Sequence, residues 1–345
     1  MDEARQYLAQ DIDLIAAQTA ARRKRLLAGL GLGLLISCAA YLFWGLGFGA
    51  FGPRLGFVLE LRAGKLVGML LVGASVAAAT ILFQTVCRNR ILTPQIMGFD
   101  ALYILMQTGL VAGLGLTGFA SLPAQAKFGL EVAVMMLAAL ALFGTLLGPR
   151  SRAASGQDVA RLVLTGVILG VLFRSISGFL TRIMDPNAYA TVQSASFASF
   201  AKIDTSLLPF ATVLFGGAIV FALILAPKLD VLALGRPIAI SLGLPHDRIV
   251  LLALALVAVL VSVATALVGP VAFFGLLVSG LAHHLSPSPR HATLLPVAML
   301  ISMLMLVAGQ TLFERALGLQ STLSVVIEFA GGLFFLWLLL KGRMR

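Results

Sequence analysis

Nine apolar runs, each long enough to cross a lipid bilayer, follow one another along this chain, at about 26–47, 63–86, 97–116, 128–148, 161–181, 206–226, 248–269, 293–313 and 322–340. A helix needs roughly 20 residues to traverse the hydrocarbon core. Within that core each backbone N–H and C=O must find its partner inside the protein, so such runs fold as a bundle of helices. Composition leaves no competing fold. Hydrophobic residues make up 60% and charged residues 11% of the chain, against about 25% charged in an ordinary soluble domain. The reading is an all-α polytopic membrane protein. A tenth apolar segment, about 271–285, is short and starts just after Gly269 and Pro270.

Charge decides whether that segment crosses. With ten crossings and both termini on one side, seventeen of the 25 Lys and Arg fall on that side and seven on the other, with Arg174 inside a span. With nine, Lys341, Arg343 and Arg345 end up opposite the other basic clusters, against the positive-inside rule. About ten transmembrane helices are therefore expected, with both termini cytoplasmic. The net charge of +11 punctuates the apolar runs rather than forming a stripe, so nucleic acid is not an expected partner and membrane lipid is. Residues 1–25 read as a cytoplasmic amphipathic segment with Tyr7, Leu8, Ile12 and Leu14 on its apolar side, and residues 26–341 as the membrane domain. Leu35 to Cys38 only faintly resembles a lipoprotein cleavage box, and the first run is read as a retained helix. Cys38 and Cys87 lie far apart in apolar surroundings and read as buried free thiols. The longest outward loop, 182–205, is expected to hold a short helix on the outer face.

One connection is too elaborate to be only a turn. Residues 227–248, PKLDVLALGRPIAISLGLPHDR, carry Lys228, Arg236 and Arg248, two glycines that follow leucine, and the apolar series Leu232, Leu234, Ile238 and Leu242. A folded, basic, inward-facing loop of this kind suggests a docking surface. Gly113 to Gly118 matches GxGxxG, but it follows an apolar span instead of opening a strand–turn–helix unit, so it does not read as a nucleotide site. No GxxxxGK[ST] is present; if ATP powers this chain, another chain binds it. His283, His284 and His291 cluster without a neighbouring carboxylate or thiolate and read as interfacial histidines rather than a metal site. Charges at membrane depth cost at least ~2.5 kcal/mol each unless paired or hydrated. Arg174 and Glu328 are thus candidates either for a polar pathway or for a pair inside the bundle. Asp100 and Glu131 stand near span ends. The scarcity of mid-span acids argues against an ion-coupled secondary carrier or channel, which remains the rival reading.

Four stretches give the chain a family resemblance: Leu61-Arg62 with Leu70 to Ala74, Phe83-Gln84, Arg88-Asn89 and Met97-Gly98; Arg161 to Val167; Leu234-Gly235 with Ala239 and Ser241 to Gly243; and Gly269 to Val278, joined by Gly331 to Phe335 and Leu338 to Lys341. Together they resemble the FecCD-type permeases of type II ABC importers, which take up iron-siderophores, haem and vitamin B12. The resemblance implies that the chain is a non-enzymatic transporter subunit of a bacterial inner membrane, binding no cofactor itself. It further implies a second permease, identical or different, two ABC ATPase subunits that bind ATP and Mg, and a periplasmic or lipid-anchored siderophore-binding protein. Leu234, Gly235, Arg236, Ala239, Ser241, Leu242 and Gly243 would form the coupling loop that sits in the ATPase. Arg62, Lys65 and Arg315 match the positions that meet the binding protein, and the fifth span with residues 149–160 would help form the pathway and inner gate. Three places depart from the usual pattern: Ser279 to His283, Arg90 after Arg88-Asn89, and Arg62-Ala63-Gly64-Lys65. With Phe197 to Phe200, they resemble the branch serving catechol-type or related ferric siderophores, in which two different permeases often pair.

Overall fold

The computed structural model describes residues 2–45, 54–147, 157–318 and 323–340. Twelve α-helices and no strand occur among the described residues: α1 (Asp2–Phe43), α2 (Arg54–Cys87), α3 (Phe99–Ser121), α4 (Ala124–Leu147), α5 (Gln157–Arg182), α6 (Pro186–Ala195), α7 (Leu208–Ala233), α8 (Arg236–Ser241), α9 (His246–Val268), α10 (Phe274–Leu285), α11 (His291–Thr311) and α12 (Leu323–Leu340). Eight contain stretches long and apolar enough to cross a membrane, and α10 and α12 are shorter apolar helices. These ten match the ten crossings expected from the sequence. The two left over, α6 and α8, lie in connections on opposite faces of the bundle.

The bundle is built around α2. From Leu71 to Gln84 every residue of α2 is buried, because the segment is apolar on all sides and a helix without a polar face has to be enclosed. Its small residues admit close neighbours, since helices in lipid associate through packing and short contacts more than through water exclusion. At Gly73 a Cβ would stand 3.2 Å from both Leu306 and the Ser302 hydroxyl, and Ser302 Oγ donates to Gly73 O at 2.6 Å. Helices α9 and α11 pack most extensively on α2. α1 lies on the outside against α11, showing Leu32, Leu35 and Ile36 outward.

The segment between α9 and α11 explains why the tenth run looks short. α9 ends at Gly269 (φ 96°, ψ −179°), beside the backbone of Ala195 and Phe197 on the α6 face. Ser199 N–H donates to Val268 O at 2.8 Å, fixing this end. Residues 269–273 then run without helix to Phe273, which holds a left-handed φ of 58°, and only Phe274–Leu285 is helical. α10 packs along α2, with Ser279 beside Gln84, and delivers the chain to the α8 face, where α11 begins. A half-length helix with an extended lead-in thus returns the chain across the bundle. The crossing was expected over about 271–285; the difference is that the helix begins only at Phe274.

The 182–205 connection holds the expected short helix. Asp185 caps α6 by accepting from Asn187 N and Ala188 N at 2.9 and 3.0 Å, with Pro186 opening the first turn; this is the ordinary N-terminal signal. The GxGxxG stretch lies within α3, where Gly115 (φ 69°, ψ 174°) breaks the helix. Residues 46–53, 148–156, 319–322 and 341–345 fall outside the described residues, and so do the side chains of Tyr7, Leu8, Ile12 and Leu14.

Candidate functional site: the α8 face and the charged groups of the spans

The polar connection resolves into three pieces. Pro227 to Ala233 continue α7, His246 to Arg248 begin α9, and α8 stands between two glycine turns, Gly235 (φ 98°) and Gly243 (φ 79°). Both glycines occupy backbone conformations that a side chain disfavours. Ala239 is buried, and its carbonyl accepts from Leu244 N, closing the turn after α8. Arg236 pairs with Asp247 at 3.3 Å, and Ser241 Oγ donates to Pro237 O. Leu232 is buried, whereas Leu234, Ile238, Ile240 and Leu242 are 51%, 50%, 52% and 63% exposed. A large aliphatic side chain left in water forgoes about 1.5–3 kcal/mol. Two of them on α8 and one at each flanking turn make this connection an apolar surface. Arg88, Arg90, Lys228, Arg248 and Arg290 stand on the same face.

At the same end of the bundle a polar clamp is built around the buried His291. Asp230 Oδ1 accepts from His291 N at 2.7 Å and is 2.6 Å from His291 Nδ1. His291 Nε2 is 2.7 Å from Thr85 Oγ1. The order hydroxyl–imidazole–carboxylate is that of a hydrolase triad, but Thr85 Oγ1 is also committed to Ile81 O at 2.9 Å and His291 is 3% exposed. The arrangement ties the ends of α2, α7 and α11 together. Among the described residues no three His, Cys, Asp or Glu side chains converge on a possible metal position.

Arg174 is exposed on α5 and Glu328 half-buried on α12. The structure brings both within electrostatic reach of Asp100 at the start of α3, whose Oδ1 is buried without a hydrogen-bond partner. A small apolar cavity between α3, α4 and α5 is lined by Phe99 and Phe173, the chain neighbours of Asp100 and Arg174. On the α6 face Arg62 Nη1 donates to Leu42 O at 2.6 Å and Trp44 O at 3.2 Å, closing the last carbonyls of α1. Lys65 is half-buried one turn further along α2, and the Arg315 side chain lies outside the described residues.

The sequence pattern of the FecCD transport family matches residues 48–341, from before α2 to just past α12. The chain belongs to the FecCD transport family. Among FecCD relatives, the petrobactin import system permease protein YclO of Bacillus subtilis is 38% identical over 92% of this chain and 98% of its own length. The petrobactin import system permease protein FatC of Bacillus anthracis is 31% identical over 83% of this chain and 79% of its own. The fold is that of a FecCD-type importer permease: an inward-facing metal-chelate type ABC transporter superposes with a TM-score of 0.77 at 23% identity, covering 92% of this chain and 99% of that one. The chain is accordingly a membrane-embedded transport subunit of this family.

The FecCD stretches quoted from the sequence do not lie at random in the bundle. Leu234 to Gly243 form α8 and its flanking turns, Gly269 to Val278 form the break before α10 and its first turn, and Gly166 with Gly170 packs against Met97 and Gly98. Two features were not anticipated from sequence. Asp230 and His291 are 61 residues apart and give no local signal of their contact. Arg88 was noticed only as part of a motif, yet its guanidinium covers Gly235.

Proposed function

We propose that this chain is the permease subunit of an ATP-driven type II importer that carries a ferric siderophore of the petrobactin kind across a bacterial inner membrane. The observation that carries the reading is the 38% identity to a petrobactin import permease along 98% of that protein. The α8 face is assigned to the cytoplasm because the basic residues Arg22 to Arg25, Arg88, Arg90, Lys228 and Arg290 gather there. Leu234 and Leu242, flanking Arg236, Ala239 and Ser241 between the glycine turns at Gly235 and Gly243, then form the coupling loop that enters one of two ATPase subunits, the second permease meeting the other. Those subunits bind ATP and Mg, and this chain binds neither. Lys65, Arg62 and Arg315 face a periplasmic or lipid-anchored binding protein. A second permease, the same or a different chain, completes a central path in which Arg174 and Glu328 take part. Closure of the ATPase pair moves α8, the permease halves rock, and the chelate passes from the binding protein to the cytoplasm.

Reconstitution into vesicles tests this. Uptake of ferric petrobactin should require ATP, the ATPase subunits and the binding protein together. Uptake driven by a proton or sodium gradient without ATP would establish the ion-coupled carrier instead.

A further inference from the structure

Arg88 terminates α2 with a φ of 49°, a left-handed conformation unusual for a residue bearing a side chain. The turn that holds it there is specified many times over. Arg88 N–H donates to Thr85 O and Asn89 N–H to Gln84 O, while Asn89 Oδ1 accepts from Ile91 N at 2.9 Å. Gln84 Nε2 donates both to Arg90 O and to Ser279 Oγ on α10. Held in this way, the Arg88 guanidinium lies directly on the Gly235 backbone. A Cβ placed on Gly235 would meet Nη1 at 2.9 Å, Cζ at 3.0 Å and Nη2 at 3.3 Å. Gly235 itself is buried, at φ 98° and ψ 160°, a region open essentially to glycine alone.

This contact has a mechanical meaning. α8 is flanked by two glycine turns, so it can tilt with little resistance from its own chain. A tilt passed only through such hinges would be absorbed by them. The Arg88 contact bypasses them, because it sets an exposed side chain at the end of α2 directly against the Gly235 backbone. The last turn of α2 in turn grips three other helices: α10 through Gln84 and Ser279, and α7 and α11 through Thr85, His291 and Asp230. We propose that Arg88 is a positioning residue of the transport cycle, a strut that carries displacement of α8 into the end of α2 and from there to α7, α10 and α11. The inference rests on the reading of α8 as the surface that meets the ATPase.

The full complex, with ATPase subunits and binding protein, is reconstituted in vesicles, and uptake of ferric petrobactin and hydrolysis of ATP are followed together. Arg88→Ala should copurify with the ATPase and hydrolyse ATP within about twofold of wild type, while uptake per ATP falls by about tenfold, the upper part of the range for residues that transmit coupling. Arg88→Lys keeps reach and charge but not the flat fork, and should give an intermediate ratio. An unchanged ratio in Arg88→Ala overturns the proposal. So does a loss of complex, with both activities falling in parallel, in Arg88→Ala and Arg88→Lys alike, which would make Arg88 a folding or docking residue. ATP-independent uptake by the wild-type vesicles would instead overturn the ATPase reading itself, and is scored before any variant.

Discussion

Gly98 occupies a position no other residue type fills well. Its φ is 87°, and a Cβ there would stand 2.8 Å from Gly170 Cα, 3.0 Å from Gly170 N and 3.1 Å from Gly166 O. Three glycines thus allow the turn before α3 to touch the backbone of α5. Gly98→Ala combines left-handed strain with backbone overlap and should lower stability by about 2–4 kcal/mol. Gly216→Ala in the interior of α7, where a Cβ meets nothing within 4 Å, should leave it unchanged or raise it by up to about 1 kcal/mol. Thermal unfolding of the purified permease in detergent checks the pair; equal shifts would refute the packing argument. The Gly166/Gly170 spacing announces a close approach from the sequence alone, but not its partner, because Gly98 sits in an irregular turn outside any helical period. Gly29 and Gly33 carry the same spacing, yet Gly29 has open space around it and Gly33 meets only Leu304. Spacing marks where a helix can be approached, not whether it is.

Between elements, the buried pair Gln107 and Glu131 joins α3 to α4, with Gln107 Nε2 donating to Glu131 Oε1 at 2.6 Å. Both residues are at most 2% exposed. Lys127, one turn earlier on α4, lies over the Phe119 ring at 3.9 Å and is electrostatically coupled to Glu131. Removing one member of a buried hydrogen-bonded pair strands the other, at about 1–3 kcal/mol, whereas replacing both by apolar groups can be nearly neutral. Gln107→Leu should therefore destabilise more than the double variant Gln107→Leu with Glu131→Leu. The reverse order in detergent melts would show that Glu131 is held by other partners. The Asp230 clamp predicts a graded result. Asp230→Ala leaves His291 N–H without its acceptor and should cost about 1–3 kcal/mol, while Asp230→Asn retains an oxygen and should recover part of the loss in the same melt. Nine crossings could be read from the sequence because length and hydropathy define a membrane helix, and the tenth because the positive-inside rule demanded it. The helical start of α10 could not, since residues 269–273 are as apolar as the helix they precede. Nor could the clamp, since a single Asp and a single His 61 positions apart carry no pattern.

Across the whole molecule, the two faces make different demands on charge. The proposed binding-protein face offers a direct test through salt. Lys65→Glu should weaken docking of the binding protein several-fold at low ionic strength and less at high, because salt screens charges with a reach of about 10 Å at 0.1 M, though a half-buried one less than an exposed one. Titration of the binding protein onto the reconstituted permease at two salt concentrations measures it, and an affinity independent of the change would remove Lys65 from the interface. Arg62 is a poorer probe, since its bonds to Leu42 O and Trp44 O would be lost with the same charge reversal. The resemblance named Arg62 as a docking position and could not show that the guanidinium also closes α1.

The enclosure of α2 has an evolutionary corollary. Fourteen consecutive positions, Leu71 to Gln84, have no lipid-facing side, so none is free to wander among interchangeable apolar residues as the outward positions of α1 are. A saturation library selected for growth on the ferric siderophore should lose nearly every substitution across that window. The same selection should pass most aliphatic exchanges at Leu32, Leu35 and Ile36. The centre of this protein should be its slowest clock, and its rim the fastest.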